Sequence, residues 1–265
     1  MTALAGVVGW PIGHSLSPVL HNAWITASGI DGRYEAFGPE DEKAFDRLIE
    51  RGRAGEFAGV NVTAPYKGRA LALADTVSKT ARRAGSANLL IFRDGQVTAD
   101  STDGLGLMEA LKEQAPQLTV TGHLVLILGA GGAARAAVAS LLDHGADAVV
   151  LNRTREKALA MVQDIGGRLG NDSDLGSAAL VVNALSVPPA LDLHPLPDEA
   201  VVMDMTYRPL ETPFLKAARR RGLTGVDGLA MLIGQARPSF EALFGTAPPA
   251  VDVRALAMAH LGEAG

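Results

Sequence analysis

The chain has no cysteine. That excludes disulfides, thiol catalysis and cysteine-ligated zinc. It also has no excess of positive charge. Its 24 Lys and Arg stand against 29 Asp and Glu, a formal net charge of −5, which argues against a general nucleic-acid binder with a basic face. Long apolar runs are missing too. The stretch 124–151 is apolar, but glycines, Arg135, Asp143, His144 and Asp147 interrupt it, and it makes a poor membrane span. Met1–Trp10 lacks the basic n-region and long apolar h-region of a signal peptide. The expectation is a cytoplasmic protein with neither nucleic-acid nor membrane partners. With 265 residues, 48% of them hydrophobic and 20% charged, the chain has the length for one large domain or two modest ones.

What is present is an alternating rhythm. Leu4–Gly9, Gly32–Phe37, Gly59–Thr63 and Asn88–Phe92 read as strands, and Pro18–Ser28, Pro39–Arg51 and Gly68–Arg83 as helices. Such alternation predicts βαβ units and a mainly parallel sheet. From His123 the rhythm repeats. Leu124–Leu128, Ala148–Leu151, Ala179–Asn183, Val201–Met205 and Thr224–Val226 read as five strands of a doubly wound unit. An alanine-rich helix, Gly132–His144, follows the first of them and ends at Gly145, a C-cap residue. Asp103–Gln114 leads into this unit and Leu229–Phe244 leads out, both helical. The chain from about Leu229 is expected to pack back on the first domain, with the two crossing helices framing a cleft.

Gly129-Ala130-Gly131-Gly132-Ala133-Ala134 follows a predicted strand and opens a predicted helix, the context a dinucleotide-binding turn requires. The first glycine permits the tight turn, the second lets backbone approach a pyrophosphate, and the small third residue lets helix and strand pack closely. The competing reading is a strand-turn-helix that merely needs small residues. At the end of the next strand, where an NAD site places a carboxylate, stand Asn152-Arg153-Thr154-Arg155-Glu156-Lys157. Arg153 suits an adenine face and a 2′-phosphate. Thr154 suits a helix cap and a phosphate contact. The pattern favours NADP over NAD, although Arg155 and Lys157 read equally well as solvent-facing charges.

Lys67 lies just past the end of a predicted strand, where α/β folds place ligands. Asp103 opens the helix into the second unit. A lysine can protonate and stabilise a developing alkoxide, and a carboxylate beside it keeps it charged; the plainer reading is a surface lysine and a helix-capping aspartate. Ser15 and Ser17 suit a carboxylate, or capping before Pro18. Asn61, Thr63 and Asn88 sit in or beside apolar strands, where backbone or substrate hydroxyls must satisfy them. His14 and His21 flank the serine loop and read as structural, since nothing around them has metal-ligand spacing, and no metal is expected.

In order along nearly the whole chain, these segments resemble the shikimate dehydrogenase family. The resemblance rests on Gly9–Pro18 with His21-Asn22, Asn61–Lys67, Thr102–Gly106, Gly129–Ala133, Asn152–Thr154, Asp204–Tyr207 with Thr212–Leu215, and Asp227–Leu232 with Gln235. It implies reduction of 3-dehydroshikimate to shikimate with NADPH, a step of aromatic amino-acid biosynthesis. Lys67 and Asp103 would be the catalytic pair, and Ser15, Ser17, Asn61, Thr63, Asn88, Tyr207 and Gln235 would contact substrate. Met205 and Gly228 would line the nicotinamide side, joining Gly129, Ala130, Gly131, Gly132, Ala133, Asn152, Arg153, Thr154 and Lys157 as cofactor residues. The expected architecture is α/β in two domains. A substrate domain of residues 1–103 plus 229–265 has a mainly parallel sheet, and residues 104–228 form a Rossmann-like NADP domain. Leu89, Ser101, Leu185, Arg237 and Pro238 depart from the family pattern, and Pro238 is expected to kink its helix. The alternatives are a quinate-oxidising paralogue with relaxed cofactor use and a non-catalytic sensor. Oligomeric state is open, a homodimer being one reading.

Overall fold

The computed structural model describes residues 3–262. The chain divides into two compact units. One comprises the chain up to Thr102 together with the chain from Gln235 on, and the other is Asp103–Gly234. The later junction between the units, Gly234/Gln235, falls inside a helix.

In the first unit the elements run β1 (Ala3–Val8), α1 (Ser17–Ser28), β2 (Gly32–Phe37), α2 (Glu42–Arg53), β3 (Gly59–Val62), α3 (Lys67–Leu73), β4 (Thr76–Val77), α4 (Lys79–Ala84), β5 (Leu89–Arg93) and β6 (Gln96–Asp100). They form a six-stranded sheet of order β2-β1-β3-β5-β6-β4. β1 runs parallel to β2 and β3, and β4 parallel to β6, but β5 is antiparallel to both β3 and β6. The sheet is thus mainly parallel, as the sequence predicts, with a hairpin set into it. Asp94 and Gly95 turn that hairpin with φ of 51° and 75°, the left-handed pair that a two-residue turn demands.

Two expectations are corrected here. The predicted helix 68–83 is three elements. After α3, Thr76 and Val77 pair with Thr98 and Ala99, and Ser78 restarts a helix by accepting from Ala81 N at 3.1 Å. The β-branched pair and the capping serine are the local reasons for the break. The predicted helix 39–51 begins later, at Glu42, because Asp41 caps it through Ala44 N at 2.7 Å.

The second unit runs α5 (Asp103–Gln114), β7 (Leu124–Leu128), α6 (Gly132–Asp143), β8 (Asp147–Leu151), α7 (Arg155–Ile165), β9 (Arg168–Leu169), a 3₁₀ turn (Asp172–Ser177), β10 (Ala178–Asn183), β11 (Val201–Asp204), α8 (Pro213–Arg220) and β12 (Thr224–Val226). All pairs in its sheet, order β12-β11-β10-β7-β8-β9, are parallel. The five predicted strands are there, with β9 as a short sixth at the edge. β7 and β10, buried on both faces, carry the apolar runs such strands require. Gly104 lets α5 lie against α6, since a Cβ there would meet Ser140 Cβ at 2.8 Å.

α9 (Gly228–Phe244) leaves the second unit and enters the first without a break, although Pro238 lies inside it. α10 (Val253–Leu261), which the sequence reading did not predict, follows. Among the described residues no helix is long and apolar enough to cross a membrane.

Candidate functional site

In the second unit the glycine turn sits between β7 and α6. Gly129 has φ +120°, and a Cβ there would come within 3.3 Å of Ala184 O, so fold geometry alone demands this glycine. Gly131 differs. Its φ of −86° and ψ of −177° are extended, open to any residue, and a Cβ would meet nothing within 4 Å. The protein's own packing does not explain this glycine; the space beside it does. Gly131 is also the N-cap of α6 and supplies no capping side chain, which suits a helix start that receives a phosphate. Ala130, Gly132 and Ala133 complete the turn, partly exposed.

β8 ends at Leu151, and Asn152 folds its Nδ2 back to Thr154 O at 2.8 Å. Arg153, Thr154 and Lys157 are exposed. Thr154 occupies the N-cap position of α7 but makes no side-chain cap bond, contrary to the capping expected of it. No ion pair among the described residues engages Arg153.

Asp204 closes β11 and is 1% exposed. Its carboxylate accepts from Asn183 Nδ2 (3.0 Å), Thr206 N (3.0 Å) and Thr212 Oγ1 (2.7 Å). It ties down both ends of the loop carrying Met205 and Tyr207. Gly228 packs against that loop so closely that a Cβ would sit 2.4 Å from Met205 O. Met205 and Gly228 are therefore adjacent, and Tyr207 is two residues on. The sequence reading gave Asp204 no role; an aspartate ending an apolar strand was its signal. Asp103, the first residue of α5, is 2% exposed, which removes the reading of an exposed capping aspartate.

The remaining candidates lie in the first unit. Lys67 is half-buried and opens α3, its carbonyl accepting from Ala87 N at 3.0 Å. Thr63 sits just past β3, its N–H held by Val8 O at 2.8 Å. The N-cap of α1 is Leu16, without a side-chain bond, so neither serine caps it, contrary to the capping alternative. Ser15 Oγ accepts from Ser17 N at 3.3 Å. Burial raises the pKa of Tyr34, and the nearby Ser17 side chain works against that rise. Tyr34 donates to Asn61 Oδ1 at 2.7 Å.

Asn61 Nδ2 donates to Asn88 O (3.2 Å) and Ser239 Oγ (2.9 Å). Asn88, 3% exposed, donates from Nδ2 to Thr102 Oγ1 (3.0 Å) and Gln235 Oε1 (2.9 Å), and accepts from Thr102 N at 2.8 Å. One hydrogen-bonded set therefore joins Asn61, Asn88 and Gln235, three of the candidates. Tyr34, Thr102 and Ser239 link them. Tyr34 and Ser239 had no site signal in sequence, reading as a strand aromatic and a helix serine.

His21 is buried, stacked on Tyr34 with ring centroids 4.0 Å apart and edge-on to Trp24 at 5.6 Å. Its Nδ1 has no hydrogen-bond partner. Burial lowers its pKa from 6.5 to about 3. In the unfolded chain it gains a proton below its ordinary pKa, so acid favours unfolding across that window. Stability to denaturant is expected to fall by about 2 kcal/mol between about pH 7 and about pH 5 from this group alone. Carboxylates with lowered pKa contribute only below their ordinary range near pH 4. His21→Gln should flatten the profile; an unchanged slope would contradict the assignment.

A family model described as the shikimate dehydrogenase substrate binding domain matches residues 7–90, and one described as shikimate / quinate 5-dehydrogenase matches residues 110–186. The shikimate dehydrogenase (NADP(+)) of Caulobacter vibrioides is 49% identical over 275 residues, covering 98% of this chain and 96% of that protein. That of Rhodospirillum rubrum is 44% identical over 278 residues, covering 98% and 97%. Among solved structures, the shikimate 5-dehydrogenase of Thermus thermophilus, in complex with NADP(H) and shikimate, matches with a TM-score of 0.88 at 35% identity, covering 100% of both chains.

Proposed function

The chain belongs to the shikimate dehydrogenase family, and from that premise we propose that it reduces 3-dehydroshikimate to shikimate with NADPH in the cytoplasm, Lys67 and Asp103 serving as the acid-base pair. We assign the substrate to residues 1–103 and 229–265, and the nucleotide to residues 104–228. The observation that carries this reading is Gly131, whose missing side chain leaves space the fold does not use, at a helix start suited to a pyrophosphate.

NADPH supplies the hydride. The chain's own residues bind the ketone, orient it and deliver a proton to its oxygen as the alcohol forms. Lys67 is the proton donor, and its ammonium also stabilises the charge developing on that oxygen. Asp103, a buried carboxylate, is assigned as the other member of the acid-base pair. Ser15 and Ser17 face the substrate carboxylate end, and Thr63, Asn61, Asn88, Tyr207 and Gln235 its hydroxyls. The cofactor set is the glycine turn, Asn152 to Thr154, Lys157, Met205 and Gly228.

A strand end bearing cations and no carboxylate supports NADPH over NADH. Arg153→Ala is expected to raise KM for NADPH about tenfold, the loss of one charge-assisted contact, and to leave KM for NADH nearly unchanged. Equal losses with both would contradict a 2′-phosphate role. A higher kcat/KM for quinate than for shikimate would move the chain to the quinate reading.

A further inference from the structure

The two asparagine amides of the bonded set in the first unit have a fixed sense. The Asn88 amide cannot be turned over, because Thr102 N–H must meet its oxygen. The Asn61 amide cannot be turned over either, because the Asn88 carbonyl must meet its NH₂. Ser239, fully buried on α9, stands where these constraints converge. Its one proton goes to Gln235 O at 3.0 Å. Its oxygen accepts from Asn61 Nδ2 at 2.9 Å and lies 3.2 Å from Thr102 Oγ1, whose proton has a second acceptor in Asn88 Oδ1 at 3.3 Å.

We propose that Ser239 is a positioning residue for substrate, holding the Asn61 side chain from behind by accepting from its Nδ2, with Tyr34 holding the Oδ1 of the same amide. Ser239 itself touches no reacting atom. With Oε1 of Gln235 held by Asn88, its NH₂ is the group offered to a ligand. The first unit therefore selects a ligand whose hydroxyls match a preset pattern, and does not adapt its amides to the ligand. Neither residue was among those expected to contact substrate. The inference rests on the family's substrate being the ligand of this unit.

The test is Ser239→Ala, which removes one oxygen without changing backbone or helix propensity appreciably, with Tyr34→Phe as the second variant. In the parent enzyme, turnover of shikimate with NADP⁺ is measured first, and its absence would sink the functional reading and not this one. Given turnover, Ser239→Ala is expected to raise KM for shikimate about tenfold, since it strands a buried amide hydrogen. kcat should stay within about threefold and Kd for NADP⁺ within about twofold. Tyr34→Phe should show the same split. A KM for shikimate within about twofold of parent in both variants would overturn the proposal. So would equal losses of NADP⁺ and shikimate affinity, or failure of both variants to fold, because the set would then serve stability alone.

Discussion

Lys67→Ala is expected to lower kcat by roughly 10²-fold or more while changing substrate affinity far less, the pattern of a lost acid-base group. The fold should survive it. Lys67 is the first residue of α3, alanine is a better helix former than lysine, and the carbonyl that anchors this point to Ala87 N is backbone. The loss would therefore be chemical. A drop of only a few fold in kcat together with a large rise in KM would reduce Lys67 to a binding residue, and would leave the proton on the product hydroxyl without a donor in this account. Steady-state kinetics in both directions separate the two outcomes.

Gly131→Val is the second large effect. Its backbone is extended, a conformation β-branched residues favour, and the space beside it holds no protein atom within 4 Å. The variant should keep the parent's thermal stability and its affinity for shikimate. Its side chain would occupy the space assigned to the pyrophosphate, so Kd for NADP⁺ should rise by roughly 10²-fold, with the helix-terminus contact pushed out of reach. Titration calorimetry with each ligand reads this directly. An NADP⁺ affinity within about threefold of parent would place the phosphates elsewhere. The same substitution at Gly129 would teach less, because its positive φ and close approach to Ala184 would damage the turn itself.

How much the sequence disclosed depended on the range over which the information was held. Continuous apolar runs such as Leu124–Leu128 and the helix Asp103–Gln114 were legible because their signal is local and long. The break in 68–83 was not, because the two-residue strand Thr76–Val77 exists only through its pairing with β6, twenty-two residues further on. Of the hairpin, β5 was read but its partner β6 was missed, although Asp94-Gly95 is a strong local turn signal. Likewise the motifs named Asn61, Asn88 and Gln235 one by one, each carrying a polar group in an apolar setting. They did not disclose that Ser239, 178 residues from Asn61, joins them, nor that Tyr34 holds Asn61 Oδ1. Hydrogen-bond direction is a property of the assembled unit, and no spacing in the chain encodes it.

Purified protein is mixed with shikimate and NADP⁺ and the absorbance of NADPH is followed, with NAD⁺ and quinate in parallel. Rapid NADPH formation with shikimate is expected, and far weaker turnover with NAD⁺ or quinate. Binding of shikimate and NADP⁺ without any turnover would contradict it, and would leave the chain a sensor that keeps both ligand sites without the chemistry assigned to Lys67 and Asp103.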